Sequence, residues 1–323
     1  MDTMDFSAPD AAARDHYRVK FHADGGKLFG IIIVNMLLTF VTLGIYYPWA
    51  RAKLLRYFYG ETEFHGNRFE FHGTGKEMFF GFIKAIAIIV VIYAFLMYGI
   101  IGKHFLILFI GYILAVAIIP FAIHGALRYR MSRTSWRGIR FGYHGDLKEL
   151  GTLFFKNIVY TIFTLGIYGS WMQVNLHRYT QGNIRMGNAQ LKFNGDGGDF
   201  FWLNFKGFLL TIVTLYIYAF WWVTDIHKFY INNTTIIQDG QEHVLRTHIT
   251  GWGFFKLVLV NILIVIFTLG IGIPWVRVRT MRFYIENMEI DGSFDAEALI
   301  QTEGDYSDAT GDDMLSMMDL NLG

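Results

Sequence analysis

The sequence predicts an all-α polytopic membrane protein with about six transmembrane helices and short β-hairpin connectors. Three observations predict it. Hydrophobic residues make up 53% of the 323 positions and charged residues 17%, against roughly a quarter charged in ordinary globular domains. Phe, Tyr and Trp reach 18% and crowd the edges of the apolar runs, as interfacial aromatic belts do. Four runs close on one pattern: Thr42-Leu43-Gly44-Ile45, Thr164-Leu165-Gly166-Ile167, Thr214-Leu215-Tyr216-Ile217 and Thr268-Leu269-Gly270-Ile271. A tryptophan follows each threonine by seven residues, at Trp49, Trp171, Trp221 and Trp275. Self-similarity at fixed offsets says the molecule is assembled from related units.

The first segment, Met1 to Lys20, is polar and lacks an apolar signal-peptide core, so the run from Phe29 to Tyr47 is expected to remain as a membrane anchor. Residues 1–15 are expected to be disordered. Phe29 to Trp49 is roughly 30 Å of helix, one hydrocarbon thickness. On that length the spans fall at about 29–48, 79–100, 105–125, 153–171, 202–222 and 254–275. The second unit is divergent: Phe121 replaces the tryptophan, the Thr-Leu-Gly step is missing, and it is longer by about one span. Between runs, stretches such as Glu63-Phe64-His65-Gly66-Asn67-Arg68-Phe69 and Arg185-Met186-Gly187-Asn188-Ala189 alternate around a glycine turn and read as β-hairpins. Tyr17–Phe21 and Asn287–Asp291 look like two half-hairpins that pair and close the array. Five related units are expected, about 21–72, 73–144, 145–195, 196–250 and 251–294, in a transmembrane domain over 16–294.

The combined signature places Asn seven residues before the Thr-Leu-Gly-Ile step, then Pro-Trp, then Arg-Tyr, then Phe-x-Phe-x-Gly-x-Gly. It resembles the YjgN family of bacterial inner-membrane proteins over about residues 16–294. That resemblance implies a multi-pass inner-membrane location. It implies no established activity and carries no catalytic residues.

Charge distribution argues against the six-span count. With six spans the two sides carry 11 and 13 Lys/Arg, and no orientation is selected. If the four single runs instead turn back near Thr-Leu-Gly, 23 bases share one side and Lys103 alone faces the other. Helix length and aromatic belts favour full spans. The re-entrant alternative would place every hairpin in one compartment, where they could form one sheet.

Two sets of residues are candidates for function. The first is a membrane-embedded polar path: Asn35, Thr39 and Thr42 on one helical face, repeated as Asn157, Thr161 and Thr164, in part as Thr211 and Thr214, and at the ends as Asn261 and Thr268. Lys84, inside its run and aligned with Asn35, joins them. Interhelical hydrogen bonding, and snorkelling of Lys84 to the interface, are the competing explanations. The second set is the base seven residues after each tryptophan position: Arg56, Arg128, Arg178, Lys228 and Arg282. These suit phosphate headgroups or a vestibule, or else a solvated amphipathic face.

Histidines 22, 65, 72, 144, 177, 227 and 248 lack ligand-type spacing, and no metal or cofactor is expected. There is no cysteine, which excludes disulfides and thiol catalysis. No phosphate loop, nucleophile elbow or dinucleotide fingerprint appears, so an enzyme is not expected. After Gly292 the chain carries eight carboxylates and no Lys or Arg; removing these from the net +1 leaves a body near +9. A basic body suits anionic membrane lipids; no nucleic-acid partner is expected, because the bases are spread through every linker and form no patch with a known binding motif. The tail, 295–323, is expected to be disordered, with a short apolar stretch that folds back, docks a partner or does neither. The function expected is a path for a small solute or ion. The alternative is a non-transporting lipid-binding or scaffolding protein.

Overall fold

A computed structural model of the chain describes residues 18–290 and 294–304. Among them the chain alternates helical hairpins with β-hairpins. The elements run β1 (Lys20–Phe21), α1 (Gly25–Val41), α2 (Tyr47–Gly60), β2 (Thr62–Phe64), β3 (Asn67–Phe71), α3 (Gly75–Ile101), α4 (Phe105–Ser132), β4 (Thr134–Trp136) and β5 (Ile139–Tyr143). They continue as α5 (Leu147–Phe163), α6 (Gly169–Gly182), β6 (Ile184–Met186), β7 (Ala189–Phe193), α7 (Gly197–Val213), α8 (Ala219–Asn232), β8 (Thr234–Gln238), β9 (Gln241–Thr247), α9 (Gly251–Phe267), α10 (Ile273–Ile285) and β10 (Met288–Ile290).

This overturns the all-α, six-span expectation. Among the described residues only α3 and α4 are long and apolar enough to cross a membrane. Each of the other four runs is two helices joined by a tight reversal at the Thr-Leu-Gly-Ile step. The connectors are not isolated hairpins either. They join edge to edge into one antiparallel sheet in sequential order, β1 to β10, which requires every connector to lie at the same end of the helices. Counting apolar length through the turn produced the wrong span number.

The turn follows from local chemistry. The first helix ends with Thr42 as its C-cap. Leu43 (φ 51) and Gly44 (φ 93) are both left-handed. Gly44 N–H donates to Thr39 C=O at 2.7 Å and Leu43 N–H to Phe40 C=O at 3.1 Å, which is the Schellman pattern. The Thr42 hydroxyl donates to Leu38 C=O at 2.7 Å and accepts from Tyr46 N–H at 3.0 Å. One side chain thus caps the end of α1 and the start of α2. Thr164, Thr214 and Thr268 make the same pair of bonds. Where Tyr216 replaces the glycine it still adopts φ 70, a strained value for a non-glycine residue.

Neighbouring hairpins pack through the recurring tryptophan. Trp49 lies on Gly75, Trp171 on Gly197 and Trp221 on Gly251, each glycine opening the next helix. Trp275 lies on Gly25 and stacks near Phe29 at 5.5 Å, joining the last hairpin to the first. Arg282 Nη2 donates to Ala23 C=O at 2.9 Å across the same seam. The two half-hairpins expected to pair meet there through one isolated antiparallel bridge, Arg18 to Glu289; Tyr17 and Asp291 lie outside the described residues.

One face of the sheet forms an apolar core of Phe64, Trp136, Ile139, Ala189 and Ile236, covered by Phe294, Ala296 and Leu299. The head of the acidic tail is therefore ordered: Gln238 Nε2 donates to Asp295 C=O at 2.9 Å, and His144 meets the buried Glu303 at 2.9 Å. The rest of the tail, with its apolar stretch, and residues 1–15 lie outside the described residues.

Candidate membrane interface

The hairpin tips are the most exposed apolar surface of the molecule. Leu43, Leu165, Leu215 and Leu269 are 85–94% exposed, and Phe40, Phe163 and Phe267 flank them at about 80%. An apolar patch of this kind marks an interaction or membrane surface. Behind each tip the chain is free of Asp, Glu, Lys and Arg over residues 28–50, 157–177, 207–224 and 257–276. Each stretch is about twenty residues. Folded in half at the turn, it presents roughly 15 Å of helix, half a hydrocarbon thickness.

The α3–α4 hairpin differs. Residues 85–102 and 104–127 carry no formal charge, and Lys103 stands alone at the tip, about 28 Å of helix from Lys84. That distance matches the full hydrocarbon core.

Helix N-caps fix the level of the lysines. Asp24, Thr74, Asp146, Asp196 and Thr250 each accept from a backbone N–H in the first turn, as N-cap side chains do. Lys84 stands ten residues past Thr74, as Lys156 stands past Asp146 and Lys206 past Asp196. Counted this way Lys84 aligns with those exposed lysines, one position short of the asparagine. Lys156 lies over the Tyr160 ring at 5.9 Å and Lys256 over the Trp252 ring at 5.3 Å.

The proposed polar path is built differently from a continuous lining. Asn35, Asn157 and Asn261 are buried between the two helices of their own hairpins. Asn35 Nδ2 donates to Ala50 C=O at 3.3 Å, Asn157 Oδ1 accepts from Asn175 Nδ2 at 3.0 Å, and Asn261 Nδ2 donates to Thr280 Oγ1 at 3.0 Å. Thr161 Oγ1 donates to Asn157 C=O at 2.8 Å. Thr39 offers its carbonyl to the turn, and Thr42, Thr164, Thr214 and Thr268 cap the helices. Asn35 Oδ1, Thr211 Oγ1 and Asn261 Oδ1 are buried without a partner. Lys84 is exposed on α3.

The recurring base and aromatic hold the joint between hairpins and sheet. Arg56 donates to Gly73 C=O at 2.8 Å and Arg178 to Gly195 C=O at 2.6 Å, each reaching the strand end before the next hairpin, as Arg282 does to Ala23. The adjacent Tyr57 hydroxyl accepts from Asp24 N–H and donates to Asp24 C=O, both at 2.8 Å; Tyr179 does the same to Asp146. Arg128 sits at the equivalent place on α4 and Lys228 on α8. Sequence spacing found these positions but not their partners, because the acceptors are backbone carbonyls that carry no residue signature.

Four histidines of the sheet recur two residues before an N-cap and meet carboxylates: His22 with Glu63 at 2.8 Å, His72 with Glu70 at 3.7 Å, His144 with Glu303 and His248 with Glu289 at 2.6 Å. His177 packs between Phe193 and Tyr230, and burial pushes its imidazole down to about 4. Among the described residues no group of His, Asp and Glu is arranged to hold a metal ion.

Comparison with known proteins bears on this architecture. The family described as "Bacterial protein of unknown function (DUF898)" matches residues 16–203, 188–242 and 238–317. The "Inner membrane protein YjgN" of Salmonella typhimurium is 34% identical over 134 residues, covering 42% of this chain and 33% of the relative. Those of Escherichia coli O157:H7 and K12 are 37% and 35% identical over 131 and 128 residues, each covering 40% of this chain and 31% of the relative. The match thus spans about a third of the length of these relatives. No solved structure matches the chain. With the family pattern covering nearly all of the described residues, the chain belongs to the DUF898 family of bacterial proteins of unknown function.

Proposed function

We propose that this protein is a lipid-engaging scaffold of the bacterial inner membrane, with one hairpin crossing the bilayer and four entering only the nearer leaflet. The observation that carries the reading is the match of lengths. Four charge-free stretches of about twenty residues are each folded in half at an exposed leucine, and the α3–α4 hairpin is about twice as deep with a single lysine at its tip. Half-depth hairpins can bury apolar tips because the N–H groups of the turn are satisfied within it. In this arrangement every described Lys and Arg except Lys103 lies on the sheet side, which orients the sheet toward the cytoplasm. The relatives named as inner membrane proteins support the location. Wedging four hairpins into one leaflet suits shaping or holding lipid, and the basic sheet side suits anionic headgroups.

The absence of native cysteine makes the test direct. Single cysteines at Leu43, Leu165, Leu215 and Leu269, labelled with a fluorophore in bilayers holding depth-graded quenchers, are expected to report the bilayer centre. Cysteines at Gly66 and Gly187 are expected to label from one side, and at Lys103 from the other. A tip cysteine labelled by a water-soluble reagent from the Lys103 side sinks the reading.

Passage of a small solute or ion is a second reading. The unpaired Asn35 Oδ1, Thr211 Oγ1 and Asn261 Oδ1 favour it, since such atoms normally find water or a ligand. Replacing Asn35, Asn157 and Asn261 with Leu is then expected to abolish flux in reconstituted vesicles; unchanged flux excludes the path.

A further inference from the structure

Besides Tyr216 in its turn, the fourth hairpin, α7–α8, departs from the other short hairpins at four positions beside one cavity. Where they carry Asn35, Asn157 and Asn261, it carries Gly207. Where they carry Ala50, Met172 and Val276, it carries Trp222. Lys53, Asn175 and Arg279 correspond to Asp225, and Arg56, Arg178 and Arg282 to Lys228. Those four substituted residues, with Lys206, line a single cavity of about 410 Å³ between the two helices.

Each departure has a physical consequence. Without a side chain at 207, the Trp222 indole lies against the helix backbone: a Cβ added there would come within 2.5 Å of Trp222 Nε1. That indole N–H is buried without an acceptor among the described residues, an unpaired donor in the cavity wall. The arginines of the other hairpins are held by strand-end carbonyls. Lys228 makes no such bond, and neither Lys206 nor Asp225 has a hydrogen bond or ion pair to another described residue. Two ammonium groups and one carboxylate therefore line the same space without a protein partner among the described residues, with the unpaired indole N–H in its wall. Lys206 fixes its level: ten residues past the N-cap, beside Lys84 and Lys156, at the upper edge of the charge-free stretch. Exposed Phe208, Leu209 and Ile212 continue from it toward the tip.

We propose that this cavity binds an amine-bearing phosphodiester, the headgroup of a phosphatidylethanolamine-type lipid. Lys206, Lys228 and the Trp222 N–H take the phosphate, and Asp225 takes the primary ammonium. Asp225 decides the class. A carboxylate repels a plain anion, and a quaternary ammonium has no N–H to donate to it. The apolar surface below the cavity holds acyl chains. The inference rests on the reading that the short hairpins enter a leaflet.

The test uses the full chain in nanodiscs of equimolar phosphatidylethanolamine, phosphatidylglycerol and phosphatidylcholine, with lipids retained after mild detergent extraction measured by native mass spectrometry. Phosphatidylethanolamine is expected to be retained preferentially. Asp225→Asn is expected to lower that preference about tenfold, the ratio carried by one charge-assisted hydrogen bond. Lys206→Ala and Lys228→Ala are expected to weaken phosphatidylethanolamine and phosphatidylglycerol alike, and Lys192→Ala, remote in the sheet, to change nothing. Equal retention of the three lipids, or an Asp225→Asn protein with unchanged preference, overturns the site. If tip cysteines still report the bilayer centre, the membrane reading stands without it. Soluble glycerophosphoethanolamine displacing the lipid at equal concentration overturns the lipid as ligand. Tip cysteines in water together with that displacement overturn both readings.

Discussion

The seam between the last and first hairpins offers a strict test, because the two sides come from opposite ends of the chain. Gly25 opens α1 and Trp275 lies against it. A Cβ at 25 would meet Trp275 Cγ at 2.6 Å and Nε1 at 2.7 Å, closer than real Cβ contacts allow. Gly25→Ala must displace a rigid indole that also contacts Phe29. Overpacking of this kind costs about 1–3 kcal/mol. The helix-propensity gain of alanine, at most about 1 kcal/mol in a helix interior, is smaller at the first position. The net expectation is a loss of about 1–2 kcal/mol, read as a lower midpoint in thermal unfolding followed by circular dichroism in detergent. Trp275→Leu removes the clashing ring, so Gly25→Ala in that background is expected to cost close to nothing. Gly197→Ala, against Trp171, probes an internal seam of the same geometry and is expected to match Gly25→Ala. A Gly25→Ala protein as stable as the parent, or equally destabilised with and without Trp275, refutes the closure of the hairpin ring.

Other expectations follow from the turns, the tips, the buried imidazole and the tail. Thr164→Val deletes the hydroxyl that caps both α5 and α6 and is expected to cost about 1–2 kcal/mol, seen as a lowered melting midpoint that Thr164→Ser largely restores. On the proposed leaflet insertion, Leu165→Lys places a charge at the bilayer centre and is expected to cost about 3 kcal/mol of insertion, measured as loss of the protein from the membrane fraction. His177 stays neutral in the fold to about pH 4 but protonates near 6.5 when unfolded. Its contribution is therefore whole above 6.5 and declines as pH falls toward 4; His177→Phe is expected to flatten the fall in melting midpoint over that window. Phe294→Ala empties a site between Phe64 and His243 and is expected to cost about 3–5 kcal/mol, with new binding of a hydrophobic dye at the sheet.

Parts of the fold were legible because they are local. Alternation around Gly66 and Gly187, both with positive φ, marked β-hairpins. The tryptophan, the following base and the aromatic were each found at their repeated offsets. Span number was misread because a Schellman turn can pass through leucine. Leu43, Leu165, Leu215 and Leu269 take φ near 50, and nothing in an apolar run announces that a β-unbranched residue will leave the helical region. The candidate site was half legible: Asn35 and Arg56 stood out by periodicity, but their acceptors, Ala50 C=O and Gly73 C=O, did not. The cavity of the fourth hairpin appears in the sequence only as Gly207, Trp222, Asp225 and Lys228 breaking the repeat, and those positions are up to 21 residues apart.

The sequence by itself determined the recurring residue pattern, the apolar composition and the family, since composition and fixed offsets are properties of the chain read in order. Tertiary structure decided the rest. Whether an apolar run of about twenty residues is one long helix or two short ones depends on two dihedral angles at a leucine and its neighbour. Those angles are held by capping bonds from a threonine and by packing of a tryptophan on the next hairpin. Only when all the hairpins reverse do their connectors reach the same end and join as one sheet.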